Sequence, residues 1–307
     1  MVQEMIEKRF EVGSPARMKL SNIRGSVNIQ AGEDGVIEVT AVKHLNSGSQ
    51  DQTEIKIEQV EDGRVIIKTD YTSSISNWFG FNKPCRVDYT VRLPKNCEVR
   101  VRGVSCEISA QGLNGEIDIN TVSGDLALSD LSGQIKIGAV SGAIRAQKLC
   151  GELETNSVSG QVRVMDSQLS KASVQTVSGS IVVQSPLTEG PYILKSVSGN
   201  ATLIVPGNTA CSASFHSVSG RMRTSLLITR DNRHGSRGSI EIRGGGVNVS
   251  FNSVSGIIRI LTAEDEKIVE QKATIEAPAS PRNRLDVLQK IERGEISVED
   301  ALKDLNT

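Results

Sequence analysis

The chain has 307 residues, with 35 basic and 36 acidic side chains, a formal net charge of −1 and only 3% aromatics. That balance excludes the basic field that nucleic acid or anionic lipid would require. Few aromatics and 28 glycines argue for thin layers with tight corners in place of one thick core. Cys85, Cys97, Cys106, Cys150 and Cys211 are odd in number and lack Cys-x-x-Cys spacing, so free thiols in a reducing compartment are expected. No run of about 18 apolar residues suggests a membrane span. Charges occupy positions 1–10, where a signal peptide carries an apolar run, so a cytoplasmic location is the expectation.

Residues 9–103 read as an N-terminal β cap with the first coils. Val36 to Val42, Glu54 to Glu58 and Arg64 to Lys68 alternate apolar and polar side chains, as half-buried strands do. Ile23-Arg24-Gly25-Ser26-Val27-Asn28-Ile29 already matches the phrase that dominates the chain further on. Trp78, Phe79 and Phe81 crowd three aromatics into four residues of a polar loop. They are candidates for a partner contact or a peripheral membrane contact, against the alternative that they fold back onto the cap.

Residues 104–262 repeat one nine-residue phrase: apolar, polar, Gly, polar, apolar, polar, apolar, then two further residues. Leu113 to Thr121 and Val122 to Asp130 are two consecutive copies. Openings of the Val-Ser-Gly kind alternate with Leu-x-Gly, which makes the true period 18. The triplets begin at 122, 140, 158, 177, 197, 218 and 254, so the last spacing is 36 residues. Two coils would fill it if a degenerate one passed through Arg237-Gly238-Ser239-Ile240-Glu241-Ile242. A fixed short period of alternating strands predicts an all-β fold, a two-sided β-solenoid of ~18–21-residue coils. Nine coils at ~4.8 Å each would make a rod roughly 40 Å long. Gly124, Gly142 and Gly160 should share one corner with backbone angles costly for other residues. Cys106 takes that slot in the first regular coil.

Val87 to Val101, with Leu93-Pro94 near its middle, leads into serial Ser-Gly corners. In this it resembles the bacterial adhesin-like family of β-strand-repeat proteins, a domain of unknown function, over roughly residues 10–262. The resemblance implies a β-solenoid and no established enzymatic activity. On the residues alone, chemistry is equally thin. A ladder of corner serines needs a base, and the chain has only His44, His216 and His234. Calcium-binding β-rolls also repeat every nine residues, but they stack carboxylates. Here Glu116, Asp125, Gln134, Ala143, Glu152 and Gln161 fill the slot after glycine, so no metal or other cofactor is expected.

Insertions at 184–191, 206–209 and 226–238 each follow a strand opened by Val-Ser-Gly, which predicts a ridge of loops along one edge. The longest carries Arg230, Arg233 and Arg237, a candidate site for an anionic group or an acidic partner. A solvated loop partly neutralised by Asp231 is the plainer reading.

Beyond residue 262 the period changes. Residues 263–281 read as a linker with Pro278 and Pro281, and 282–307 as a helical hairpin. Leu285, Leu288 and Ile291 lie on one helical face, and Leu302 and Leu305 on another. Leu288 to Leu302 resembles the short helical module found with this repeat family in envelope-stress proteins of the Lia type, where it is commonly at the other end of the chain. The resulting expectation is a non-enzymatic scaffold or binding protein, with a protein partner or self-association. An envelope-stress component engaging a membrane-associated regulator is the alternative, and a polysaccharide-active β-helix enzyme a weaker one.

Overall fold

The computed structural model describes residues 2–71 and 83–266. Trp78, Phe79 and Phe81 lie outside the described residues, as do Leu285, Leu288, Ile291, Leu302 and Leu305 of the expected hairpin. One compact unit ends at Thr262. It is a β-solenoid whose strands all belong to one continuous hydrogen-bonded sheet.

A single coil shows why the phrase folds this way. Asn114–Ser123 forms one face and Leu126–Ser129 the other. Ile117, Ile119, Leu126 and Leu128 point between them and are at most 2% exposed. Burial of each such side chain contributes about 1.5–3 kcal/mol. The next coil, Ser132–Ser141 with Ile144–Gln147, stacks on it in parallel register, Ile135 over Ile117 and Ile144 over Leu126. Each coil buries its apolar rows against its neighbours, which is what the period required. The first departure from 18 is a bulge: Gly151 pairs with Leu169 but Glu152 with Lys171, so Ser170 is the extra residue.

The N-terminal end begins with Ala16–Ala31, a whole coil in one bent strand, paired along its length with Asn96–Gln111. One face continues outward through Val65–Tyr71 and antiparallel Thr53–Gln59. The other continues through Arg86–Leu93, Val36–His44 and Gln3–Glu11, the last two antiparallel. These strands extend the sheet beyond the first coil on both faces.

The C-terminal end departs from sequence order. Tyr192–Ser198 pairs not with Cys211–Ser217 but with Val247–Ser255, which then pairs with Cys211–Ser217. The short strands agree, Ile257–Leu261 lying between Ala201–Ile204 and Arg221–Thr224. The last coil of the chain therefore occupies the rung before the penultimate one. The coils are 16–31, 96–111, 114–129, 132–147, 150–165, 168–184, 192–204, 247–261 and 211–224, nine in stacking order.

The degenerate coil expected at Arg237 to Ile242 does not form. Ile228–His234 and Arg237–Ile242 make an antiparallel hairpin that covers the free edge of Cys211–Ser217. The segment offers only Ile240 and Ile242 as fully buried aliphatics and no second short strand, so it cannot close a two-sided coil. Gly244, Gly245 and Gly246, all at positive φ, then turn the chain back toward the open rung.

Candidate interaction surfaces

The Val-Ser-Gly corner is the most repeated feature of the rod, and its geometry follows from close stacking. At Gly142 φ is 134°, and a Cβ there would lie 2.2 Å from the carbonyl oxygen of Gly124. The same contact recurs from Gly160 to Gly142, Gly179 to Gly160, Gly199 to Gly179, Gly256 to Gly199 and Gly220 to Gly256. The glycine ladder thus follows the stacking order, inserted coil included. Cys106 fills its slot without positive φ: its thiol is buried and lies 3.4 Å from the carbonyl oxygen of Asn22.

Behind the corner runs an inward column of small residues that includes Thr121, Ala139, Ser157, Thr176, Ser196, Ser253 and Ser217. The hydroxyls of Ser157, Thr176, Ser196 and Ser253 are buried without a hydrogen-bond partner.

The outward side of the corner is apolar. Val104, Val122, Val140, Val158, Val177, Val197, Val254 and Val218 form one line of eight side chains, 46–49% exposed except Val218 at 68%. The repeat phrase gives Leu131 and Val140 the same slot, yet Leu131 is fully buried. Parity explains the difference. Counting by twos from inward Ile117 reaches Ile119 and Thr121, which leaves Val122 on the outward face. Beside this ridge a groove of about 540 Å³ runs between Val177, Val197, Val254 and Val218 on one wall and Gln175, Lys195, Asn252 and His216 on the other. The corner serines are exposed along the ridge, and that of Ser219 donates to the carbonyl of Val254 at 3.3 Å.

Away from the ridge, charges pair between neighbouring coils: Arg102 with Asp118 at 2.7 Å, Arg145 with Asp125 at 2.8 Å and Lys171 with Glu152 at 2.8 Å. Partial burial disfavours the charged form of Asp118, but the Arg102 guanidinium outweighs it and holds the carboxyl below its ordinary range. Between these coils the surface charges are thus neutralised in pairs.

The arginine patch is built differently from the expected loop. Arg230 pairs with Glu241 at 3.0 Å across the hairpin, and the Arg233 Nε donates to Asp231 at 2.8 Å. Arg237 is exposed near the hairpin turn. Two of the three cations are thus neutralised within the element. Nor do the three insertions line up as neighbours. Gln184 and Ile204, where the first two begin, are paired, but the inserted coil separates them from Thr224, where the third begins.

One polar cluster is not legible in the sequence, because Ser26 and His44 lie far along the chain from Arg86 and Asp88. Asp88 accepts from the backbone N–H and the hydroxyl of Ser26, both at 2.8 Å, from Arg86 Nε at 3.0 Å, and contacts His44 Nε2 at 2.7 Å. Burial opposes ionisation of Asp88, and the donors from Arg86, Ser26 and His44 outweigh it, lowering its pKa. A serine nucleophile needs its hydroxyl on an imidazole, whereas the Ser26 hydroxyl goes to the carboxylate between them. All five cysteines are free, and burial pushes the thiols of Cys97, Cys106 and Cys211 up to about 11, which keeps them protonated. Among the described residues no group of three or more His, Cys, Asp or Glu could hold a metal ion, and no helix is long and apolar enough to cross a membrane.

Fold and corner together define a capped β-solenoid of Val-Ser-Gly coils. The chain belongs to the Toastrack DUF4097 family, whose model matches residues 16–261. No curated protein sequence matches it. Among solved structures, it is similar to a candidate adhesin of Bacteroides fragilis NCTC 9343, at 10% identity over 84% of this chain and 97% of that one, with a TM-score of 0.47. A candidate cell adhesion protein of Clostridium sporogenes ATCC 15579 is 14% identical over 85% of this chain and 100% of its own, with a TM-score of 0.28. A candidate lipid binding protein of Parabacteroides distasonis ATCC 8503 is 13% identical over 83% and 96%, with a TM-score of 0.37. Likeness at this level leaves the partner of this chain to be argued from its own surface.

Proposed function

We propose that this protein is a non-enzymatic β-solenoid scaffold, adhesin-like in build, that holds a macromolecular partner along its valine edge. The observation that carries this reading is the line of eight valines about half exposed to solvent. Folded monomers rarely leave so extended an apolar strip uncovered unless something binds there. The protonated buried thiols and the Ser26 hydroxyl committed to Asp88 fit a binding role better than a catalytic one.

Site-specific photo-cross-linking in cells that make the protein tests the reading. A photoreactive side chain at Ser159, on the edge, is expected to trap a macromolecular adduct, while the same group at Lys136, on the flat face, is not. Equal yields at the two sites contradict it. So does turnover of a polysaccharide that is abolished by replacing a defined pair of carboxylates.

A further inference from the structure

Resting on that reading, we propose that the partner on the valine edge is a second copy of this chain, packed ridge against ridge and turned end for end. Three observations point there: the spacing of the ridge, the lack of charge along its middle, and its area.

The spacing is set by strand stacking. Eight valines recur at ~4.8 Å over about 34 Å. A rigid surface stays in step with such a ladder only if it has the same rise, and this chain's own edge is one. Between the rungs of Val140 and Val177 the ridge is flanked by Gly138, Asn156 and Gln175 on one side and by Ala143, Gln161 and Ser180 on the other. None is charged, in a chain where charged residues make up 23%. The nearest ions are the already paired Asp125 and Arg145 at the edge of the stretch, where Asp125 accepts from the Ala143 N–H at 2.9 Å. Covering its middle therefore desolvates little charge, as the centre of a protein interface requires. An anionic lipid surface or a polyanion would gain nothing from it.

The area is adequate as well. Two such ridges together would remove on the order of 1,000 Å² from water once their flanks are included, the lower bound for a specific interface. Self-pairing gives a closed two-fold dimer, so the strip does not propagate into a fibre. Pairing end for end keeps apart the two arginine-bearing ends, where Arg221, Arg223 and Arg259 cluster, and sets Arg221 of one copy near Glu107 of the other.

The test is sedimentation velocity on the full chain, over a concentration series, with and without Val158→Lys/Val177→Lys. Both positions are exposed, so circular dichroism and the melting temperature should stay the same. The expected result is a dimer whose dissociation constant rises about a hundredfold or more in the double variant. Orientation is read on a Cys150→Ser background with a short bis-maleimide. Ser105→Cys chains mixed with Ser219→Cys chains should cross-link, and neither should do so alone. A dimer that persists in the lysine variant uses another surface and overturns the proposal, as does cross-linking of Ser105→Cys chains with themselves. A wild-type monomer with a photo-adduct to some other macromolecule at Ser159 overturns the self-pairing and leaves the scaffold reading standing. A monomer with no adduct overturns both.

Discussion

The two ends of the rod face the same problem, an open sheet edge, and solve it with different physics. At the N-terminal end the glycine ladder stops at Gly25, where a Cβ would meet the carbonyl oxygen of Val87 at 2.1 Å. Polar groups lock that junction. Asp88 gathers Ser26, Arg86 and His44, while Asn22 donates to the Val87 carbonyl at 2.8 Å and Thr69 bonds both Asn22 and Tyr89. At the C-terminal end the lock is apolar and topological. Phe251 of the inserted coil sits between Leu194 and Phe215, and a hairpin bearing Ile240 and Ile242 closes the edge. The first kind of end depends on ionisation. The second depends on packing and on a chain path that steps back one rung.

That contrast can be broken at defined points. The largest effect is expected at the apolar end, where Phe251→Ala should cost about 4 kcal/mol by chemical denaturation, equally at pH 7 and pH 4. In the regular middle, Gly142→Val places a side chain at φ 134° against the Gly124 carbonyl and should cost about 3 kcal/mol, read as a lower melting temperature. At the polar end, Asp88→Ala should cost about 2 kcal/mol at neutral pH, because several donors lose their acceptor. The folded pKa of Asp88 is lowered, so its contribution is full above the unfolded carboxyl value and fades as pH falls through the folded one. The Asp88→Ala deficit should therefore shrink below about pH 4, while that of Phe251→Ala does not. A deficit that stays constant down to pH 3 would contradict the electrostatic account of this end. The smallest effect is expected at Ser196→Ala, which removes a buried hydroxyl without a partner and should be neutral or stabilising by up to about 1 kcal/mol.

Much of this fold is legible in the residues. The Val-Ser-Gly spacing counts the regular rungs, and the alternation around Ile117 and Ile119 identifies the inward rows. Two things are not. A period counts coils along the chain but not their order in space, so the 36-residue gap between Val218 and Val254 fits a degenerate coil as well as an excursion and return. Nor does the phrase distinguish its two corners, because Leu131 and Val140 occupy the same slot in it. The strand parity that separates them is present in the sequence, but it must be followed through the corner, where Thr121 continues the inward row and Val122 begins the outward ridge. The arginines at 230, 233 and 237 read as a loop but lie on two paired strands, for a related reason. The neutralising Asp231 beside Arg233 is legible locally, but the pairing of Arg230 with Glu241 forms only once the segment folds into a hairpin.

The continuity of the valine ridge depends on the inserted coil, and disulfide trapping of rung order tests this most directly. On a Cys150→Ser background, Ser198→Cys/Ser255→Cys and Ser255→Cys/Ser219→Cys place thiols on neighbouring rungs, within the Cα separation of about 4.4–6.8 Å that a disulfide spans. Ser198→Cys/Ser219→Cys leaves a rung between them, at ~9.6 Å, beyond that reach. Rapid oxidation of the first two pairs and none of the third is the predicted result. Cross-linking between 198 and 219, with none between 198 and 255, would show the coils stacked in sequence order and would contradict the account.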